Sequence, residues 1–147
     1  MVGYDKTLCH STYTEMNILV GYDGSEAAKN ALRLAQKHAT GLNTALHVVT
    51  AVTRQNPLSY DQIVQAEEKL IREVEKALQG SNRLAHRSFL KVSDMSAGEQ
   101  LVRYAKEYHS CEILLGIRKI SRLGKLFSGT TAQHVILNAS CPVITVK

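Results

Sequence analysis

The chain has 147 residues, 18 of them Lys or Arg against 13 Asp or Glu, for a formal net charge of +5; 44% are hydrophobic and two are prolines. This suits one globular domain with a sizeable core and no long disordered tract, and the modest basic excess favours anionic partners while falling short of a dedicated nucleic-acid protein. No apolar run approaches the ~18 residues of a membrane span, and the polar first sixteen residues do not read as a signal peptide, so a cytoplasmic protein with no membrane association is expected.

Residues 1–16 have no clean period and read as an N-terminal arm, with the folded domain expected over 17–147. Ile18 to Tyr22 is a short, nearly continuous apolar run, the mark of a strand buried on both faces. Asp23-Gly24-Ser25-Glu26 follows at once: a glycine for a turn, Ser or Asp as helix cap, and a Glu that complements the helix dipole. Ala28, Ala31, Leu32 and Ala35 recur at helical spacing, and Gly41 is expected to stop that helix before a second strand over 44–52.

Residues 60–79 place Ile63, Ala66, Leu70, Ile71, Val74, Ala77 and Leu78 on one stripe of an amphipathic helix that Gly80 ends. The imperfect alternation of 83–92 suits a third strand at a sheet edge. Ser96-Ala97-Gly98-Glu99 is a capping box opening a helix expected to turn Leu101, Val102, Ala105 and Tyr108 to the core. A hydrophobic run over 112–115 ends in Gly116, a basic loop follows to Ser128, and Gly129-Thr130-Thr131 opens a helix that leads to a last strand at 142–146.

Strands alternating with single helices predict an α/β three-layer sandwich around a five-stranded parallel sheet. The order 3-2-1-4-5, a Rossmann-like arrangement, puts the two most apolar strands at the centre. The short last strand would then be an exposed edge, and its residues Val143 to Val146 predict a homodimer in which a second copy covers it.

In open α/β sheets ligands bind at the carboxyl ends of the strands, where the strand order reverses. Two loops meet that description, Asp23 after the first strand and Gly116 to Thr131 after the fourth. Gly129 would let backbone amides approach phosphate, Thr130 and Thr131 offer hydroxyls at a helix N-terminus, and Asp23 offers acceptors to ribose hydroxyls. A turn-and-cap role for Asp23, and a plain helix start for Gly129-Thr130-Thr131, remain open on these residues alone.

Gly116-x-x-Lys119, nine residues, then Gly129-Thr130 resembles the Gly-x-x-Gly-x9-Gly-Ser/Thr signature of universal stress proteins that bind ATP. Asp23-Gly24-Ser25, Leu46-His47-Val48 and Ser140-Cys141-Pro142-Val143 resemble the same family at their expected places, so the likeness covers residues 17–147. It implies Asp23 on the ribose, main chain at Val48 on the adenine, and Gly116, Gly129, Thr130 and Thr131 on the phosphates of ATP, AMP or ADP, with Mg2+ as an accompanying ion. Where the signature has its second glycine this chain has Lys119, which can act as a point charge on a phosphate beside Arg118 or obstruct a close approach.

The three cysteines, Cys9, Cys111 and Cys141, lack CxxC spacing and suit free thiols in a reducing compartment, and the six scattered histidines support neither a metal centre nor a nucleophilic pair. Gly124-Lys125 is not a P-loop, since Leu126 stands at the Ser/Thr position. The expectation is a stress-responsive, adenine-nucleotide-binding regulatory dimer, not an enzyme, whose occupancy alters its contact with a protein partner. The alternatives are the same fold with a degenerate pocket acting through protein contacts alone, and a slow nucleotide hydrolase. A nucleic-acid role would rest on the charge excess and the basic loop alone.

Overall fold

A computed structural model describes residues 16–54, 58–81, 83–118 and 130–147. Strands and helices alternate: β1 (Asn17–Gly21), α1 (Glu26–Leu42), β2 (Ala45–Thr53), α2 (Tyr60–Ala77), β3 (His86–Ser93), α3 (Ala97–Glu107), β4 (Ser110–Gly116), α4 (Thr130–Asn138) and β5 (Val143–Val146). Every ladder is parallel and the sheet order is β3-β2-β1-β4-β5, as the sequence led us to expect.

The central strands are apolar because both faces are covered. Side chains alternate along a strand, so Ile18, Val20, Leu46, Val48 and Leu114 pack under α1 and α2. Leu19, Val49, Ile113 and Leu115 pack on the opposite face, under α3 and α4. Ile18, Leu19, Val20, Ile113 and Leu114 are all 0% exposed, and each such side chain contributes about 1.5–3 kcal/mol of transfer free energy. Helix α1 lies close on β1 and β4 because the face it presents is mostly alanine: Ala28, Ala31, Ala35 and Ala39 beside Leu32. On the other face Gly98 serves the same end, since a Cβ there would stand 2.7 Å from Cβ of His134 on α4.

Several local details differ from the sequence reading. Helix α1 runs through Gly41, and its terminator is Asn43 in the left-handed region, φ 49°, whose N–H donates to the carbonyls of Ala39 and Thr40. Asn tolerates that conformation better than most residues. On α2 the buried stripe narrows to Leu70, Val74 and Leu78, and Ile71 is 40% exposed. Strand β3 begins at His86 rather than residue 83, because Leu84 N–H donates to the Ser81 carbonyl and closes a turn there. On α3 the buried tyrosine is Tyr104, at 1% exposure, whereas Tyr108, expected in the core, caps the helix and is 38% exposed. The Tyr104 hydroxyl pairs with Nδ1 of buried His47 at 2.9 Å, which satisfies both groups.

Polar ties fasten the amino end of the sheet. Asn17 donates to the Tyr108 carbonyl at 2.8 Å and accepts from the Ser110 hydroxyl at 2.7 Å, and His38 on α1 meets Glu112 on β4 at 2.6 Å. The α3 capping box is complete: the Ser96 hydroxyl and N–H donate to Glu99, and Glu99 N–H donates to the Ser96 oxygen. The Ser96 hydroxyl, then its N–H, hold the Glu99 carboxyl below the ordinary carboxylate range. A carboxyl depressed in the folded state contributes above its unfolded pKa and loses that contribution as pH falls through the folded value. Amide exchange at Glu99 should therefore show faster opening, relative to intrinsic rates, as pH falls from about 6 to about 3. A flat profile would remove the carboxylate from the cap.

Candidate functional site at the carboxyl ends of β1 and β4

The loop after β1 is built by short-range bonds. Gly24 takes φ 80°, open to glycine at no steric cost, and the exposed Asp23 accepts the Ser25 N–H on Oδ1 at 2.9 Å. Ser25, not Asp23, is the helix cap, its hydroxyl accepting from Ala28 N–H at 3.1 Å. Asp23 is thus a turn residue that spends one carboxylate oxygen on the turn. Just before it, Tyr22 is pinned at three atoms: its N–H donates to the Val49 carbonyl at 2.9 Å, its carbonyl accepts from the Thr50 hydroxyl at 2.7 Å, and its phenol donates to Glu73 on α2 at 2.7 Å. Burial first, then the Glu73 bond, push the phenol well above its usual pKa, so it remains a donor at any physiological pH. Sequence reasoning missed this anchor, and a tyrosine at the end of an apolar run was its only local signal.

At the end of β4, Gly116 lies directly against the first turn of α1. A Cβ there would be 2.3 Å from the Ala28 nitrogen and 2.4 Å from the Ala27 carbonyl carbon. The glycine is therefore required by backbone packing, and it brings β4's end against the helix that the Asp23 turn opens. Ile117 N–H then donates to the Val146 carbonyl at 2.7 Å, so the chain stays on the sheet one residue beyond β4. Arg118 follows and is exposed. Lys119 and Gly129 lie outside the described residues, as do Arg122 and Lys125 of the basic loop.

A helix connecting two parallel strands runs antiparallel to them, so α4 begins at the carboxyl end of the sheet, the same end as Asp23 and Gly116. Thr130 is exposed and Thr131 half-buried at its start, and no acidic residue occupies the first turn to oppose an anion. Val48 is placed differently. It is fully buried between ladder partners Val20 and Ser88, three residues below the level of Asp23 by the β1 register. Among the described residues no group of three or more His, Cys, Asp or Glu side chains is placed to hold a metal, and no helix is long and apolar enough to cross a membrane. Cys111 and Cys141 are free, half-buried thiols whose pKa burial raises.

This fold recurs in known proteins. A universal stress protein from Archaeoglobus fulgidus superimposes with a TM-score of 0.73 at 29% identity, covering 90% of this chain and 93% of that one. A structure of the universal stress protein from the same organism in complex with dAMP gives 0.71 at 27% identity, covering 90% and 98%. A universal stress protein of Mycobacterium tuberculosis is 27% identical over 136 residues, 91% of this chain but 49% of that protein, so this chain spans about half the length of that relative. The sequence model of the Universal stress protein family matches residues 16–147, and the chain belongs to that family.

Proposed function

We propose that the chain is an adenine-nucleotide-binding regulatory module of the cytoplasm, taking ATP, ADP or AMP in the crevice between the ends of β1 and β4. The observation that carries this reading is the contact of Gly116 with the first turn of α1, which sets the pinned Asp23 turn beside the end of β4 at the reversal point of the sheet. The dAMP complex of the Archaeoglobus relative supports the ligand class. In this reading the Asp23 carboxylate takes the ribose hydroxyls, while Val48, whose main chain is held in the ladder with Ser88, is not assigned to the base. Gly116, Gly129, Thr130 and Thr131 hold phosphate at the start of α4, and Arg118 and Lys119 supply positive charge.

A nucleotide's own phosphates and water would provide most ligands for an accompanying Mg2+, since the described residues offer no carboxylate cluster. No described residue is assigned a catalytic role, so occupancy rather than turnover is the signal, read by a protein partner.

The nearest competing reading is nucleotide-independent action through protein contacts, which the lysine at position 119 favours, because it replaces a glycine of the ATP-binding signature. Titration calorimetry with ATP and AMP separates the two. Lys119→Ala should weaken ATP binding by about tenfold, the worth of one charge-assisted contact. Stronger binding by Lys119→Gly would mean that the lysine obstructs the site.

The proposal includes a homodimer through β5. Ile113 N–H donates to the Pro142 carbonyl and Ile117 N–H to the Val146 carbonyl, so alternate residues Val143 and Thr145 turn their backbone groups away from β4. Thr145→Pro deletes an outward-facing donor and leaves the β4 ladder intact. Sedimentation equilibrium should then find monomers with little change in melting temperature, and an unaltered dimer would place the interface elsewhere.

A further inference from the structure

A cavity of about 350 Å3 lies between edge strand β3 and helix α3. It follows from the crossover: α3 leaves the end of β3 and packs on β2 and β4 on its way to the start of β4, which leaves part of the β3 face uncovered. Helical phase keeps the cavity apart from the nucleotide crevice. Gly98 turns towards α4, and at ~100° per residue Gln100, Arg103 and Glu107 point roughly 140–200° away from it.

The lining chemistry is specific. Lys91 Nζ sits 4.8 Å above the Tyr104 ring and 5.6 Å from Tyr108, held there by cation–π attraction. Among the described residues Arg103 reaches only the Met95 sulfur, at 3.9 Å, a weak acceptor. None of Lys91, Arg103 and Glu107 forms an ion pair with a described residue. Gln100, 3% exposed, donates from Nε2 to the Val52 carbonyl at 3.1 Å and the Met95 carbonyl at 3.0 Å. Those two bonds fix which way the amide points. Its Oε1 is buried without a donor, the one such side-chain atom among the described residues. That oxygen is closed to solvent and does not open onto the cavity.

We propose that this cavity binds a small zwitterion of the α-amino-acid class. The carboxylate lies between Lys91 and Arg103, and the ammonium turns to Glu107. A plain anion would face the Glu107 carboxylate, and a plain cation would face two positive charges. The volume suits one amino acid with a little bound water.

The test is an amide-shift NMR titration of the 15N-labelled full chain with L-glutamine, with sodium acetate and methylammonium chloride as the two halves of the zwitterion. Saturable shifts are expected at residues 91–93 and 100–107 with glutamine alone. Arg103→Ala and Glu107→Gln, both at exposed positions, should each weaken binding by about tenfold while both variants keep the parent's melting temperature. The proposal is overturned by an absence of saturable shifts, by acetate matching glutamine, which would make the site an anion patch, or by Arg103→Ala binding as well as the parent.

Discussion

Gly116→Ala should destabilise the protein by about 3 kcal/mol, the upper range for forcing a methyl into a filled site, and lower the melting temperature by roughly 10 °C for a chain of this size. The cost is high because the obstacle is backbone: the new Cβ would stand 2.3 Å from the Ala28 nitrogen and 2.7 Å from the Ala27 oxygen. No rotamer change relieves that, so α1 must lift from β4. The clash at Gly21 meets side-chain atoms of Leu115 and Leu101 instead, and side chains can yield. Urea denaturation of both alanine variants checks the contrast, and a Gly116 variant as stable as the parent would show that α1 does not rest on β4 there. Lifting α1 also moves the Asp23 turn, so in the nucleotide reading the same variant loses affinity even below its melting temperature.

For Asp23→Ala the large effect should be on ligand rather than fold. In the proposed site, losing the carboxylate assigned to the ribose hydroxyls should weaken nucleotide binding by about tenfold to a hundredfold, the range for hydrogen bonds to a charged group. The turn bond to Ser25 N–H is solvent-exposed, so stability should change little. Asp23→Asn separates the two roles, because an amide oxygen can still accept the Ser25 N–H while the charge is gone. If the Asn variant keeps full nucleotide affinity and the Ala variant loses it together with stability, Asp23 is a turn residue and nothing more.

The sheet was legible in the sequence because its signals are local and redundant. Ile18 to Val20 and Ile113 to Leu115 are continuous apolar runs, which only a strand covered on both faces sustains, and the polar character of β3 marks it as an edge. The Ser96–Glu99 capping box and the Asp23-Gly24-Ser25 turn are likewise written in adjacent residues.

What was not legible depends on tertiary partners or on backbone phase. Whether Gly41 or Asn43 ends α1 turns on which residue takes the left-handed conformation, and both can. The choice of Tyr104 over Tyr108 for the core follows from α3 ending at Glu107, with His109 at φ 52° redirecting the chain into β4. The Tyr22–Glu73 anchor joins residues 51 apart in sequence. The family resemblance gives Gly116 a phosphate role, and the structure adds the packing of α1 as an independent reason for a glycine there.

Adenine nucleotide between the ends of β1 and β4 would be detected by mass spectrometry of the small molecules released when the purified protein is denatured, followed by titration of the stripped protein with ATP and AMP. Released adenine nucleotide or saturable rebinding, lost in Asp23→Ala, is the expected result. A stripped protein that released none and binds neither nucleotide would contradict it and leave action through protein contacts as the function of this fold.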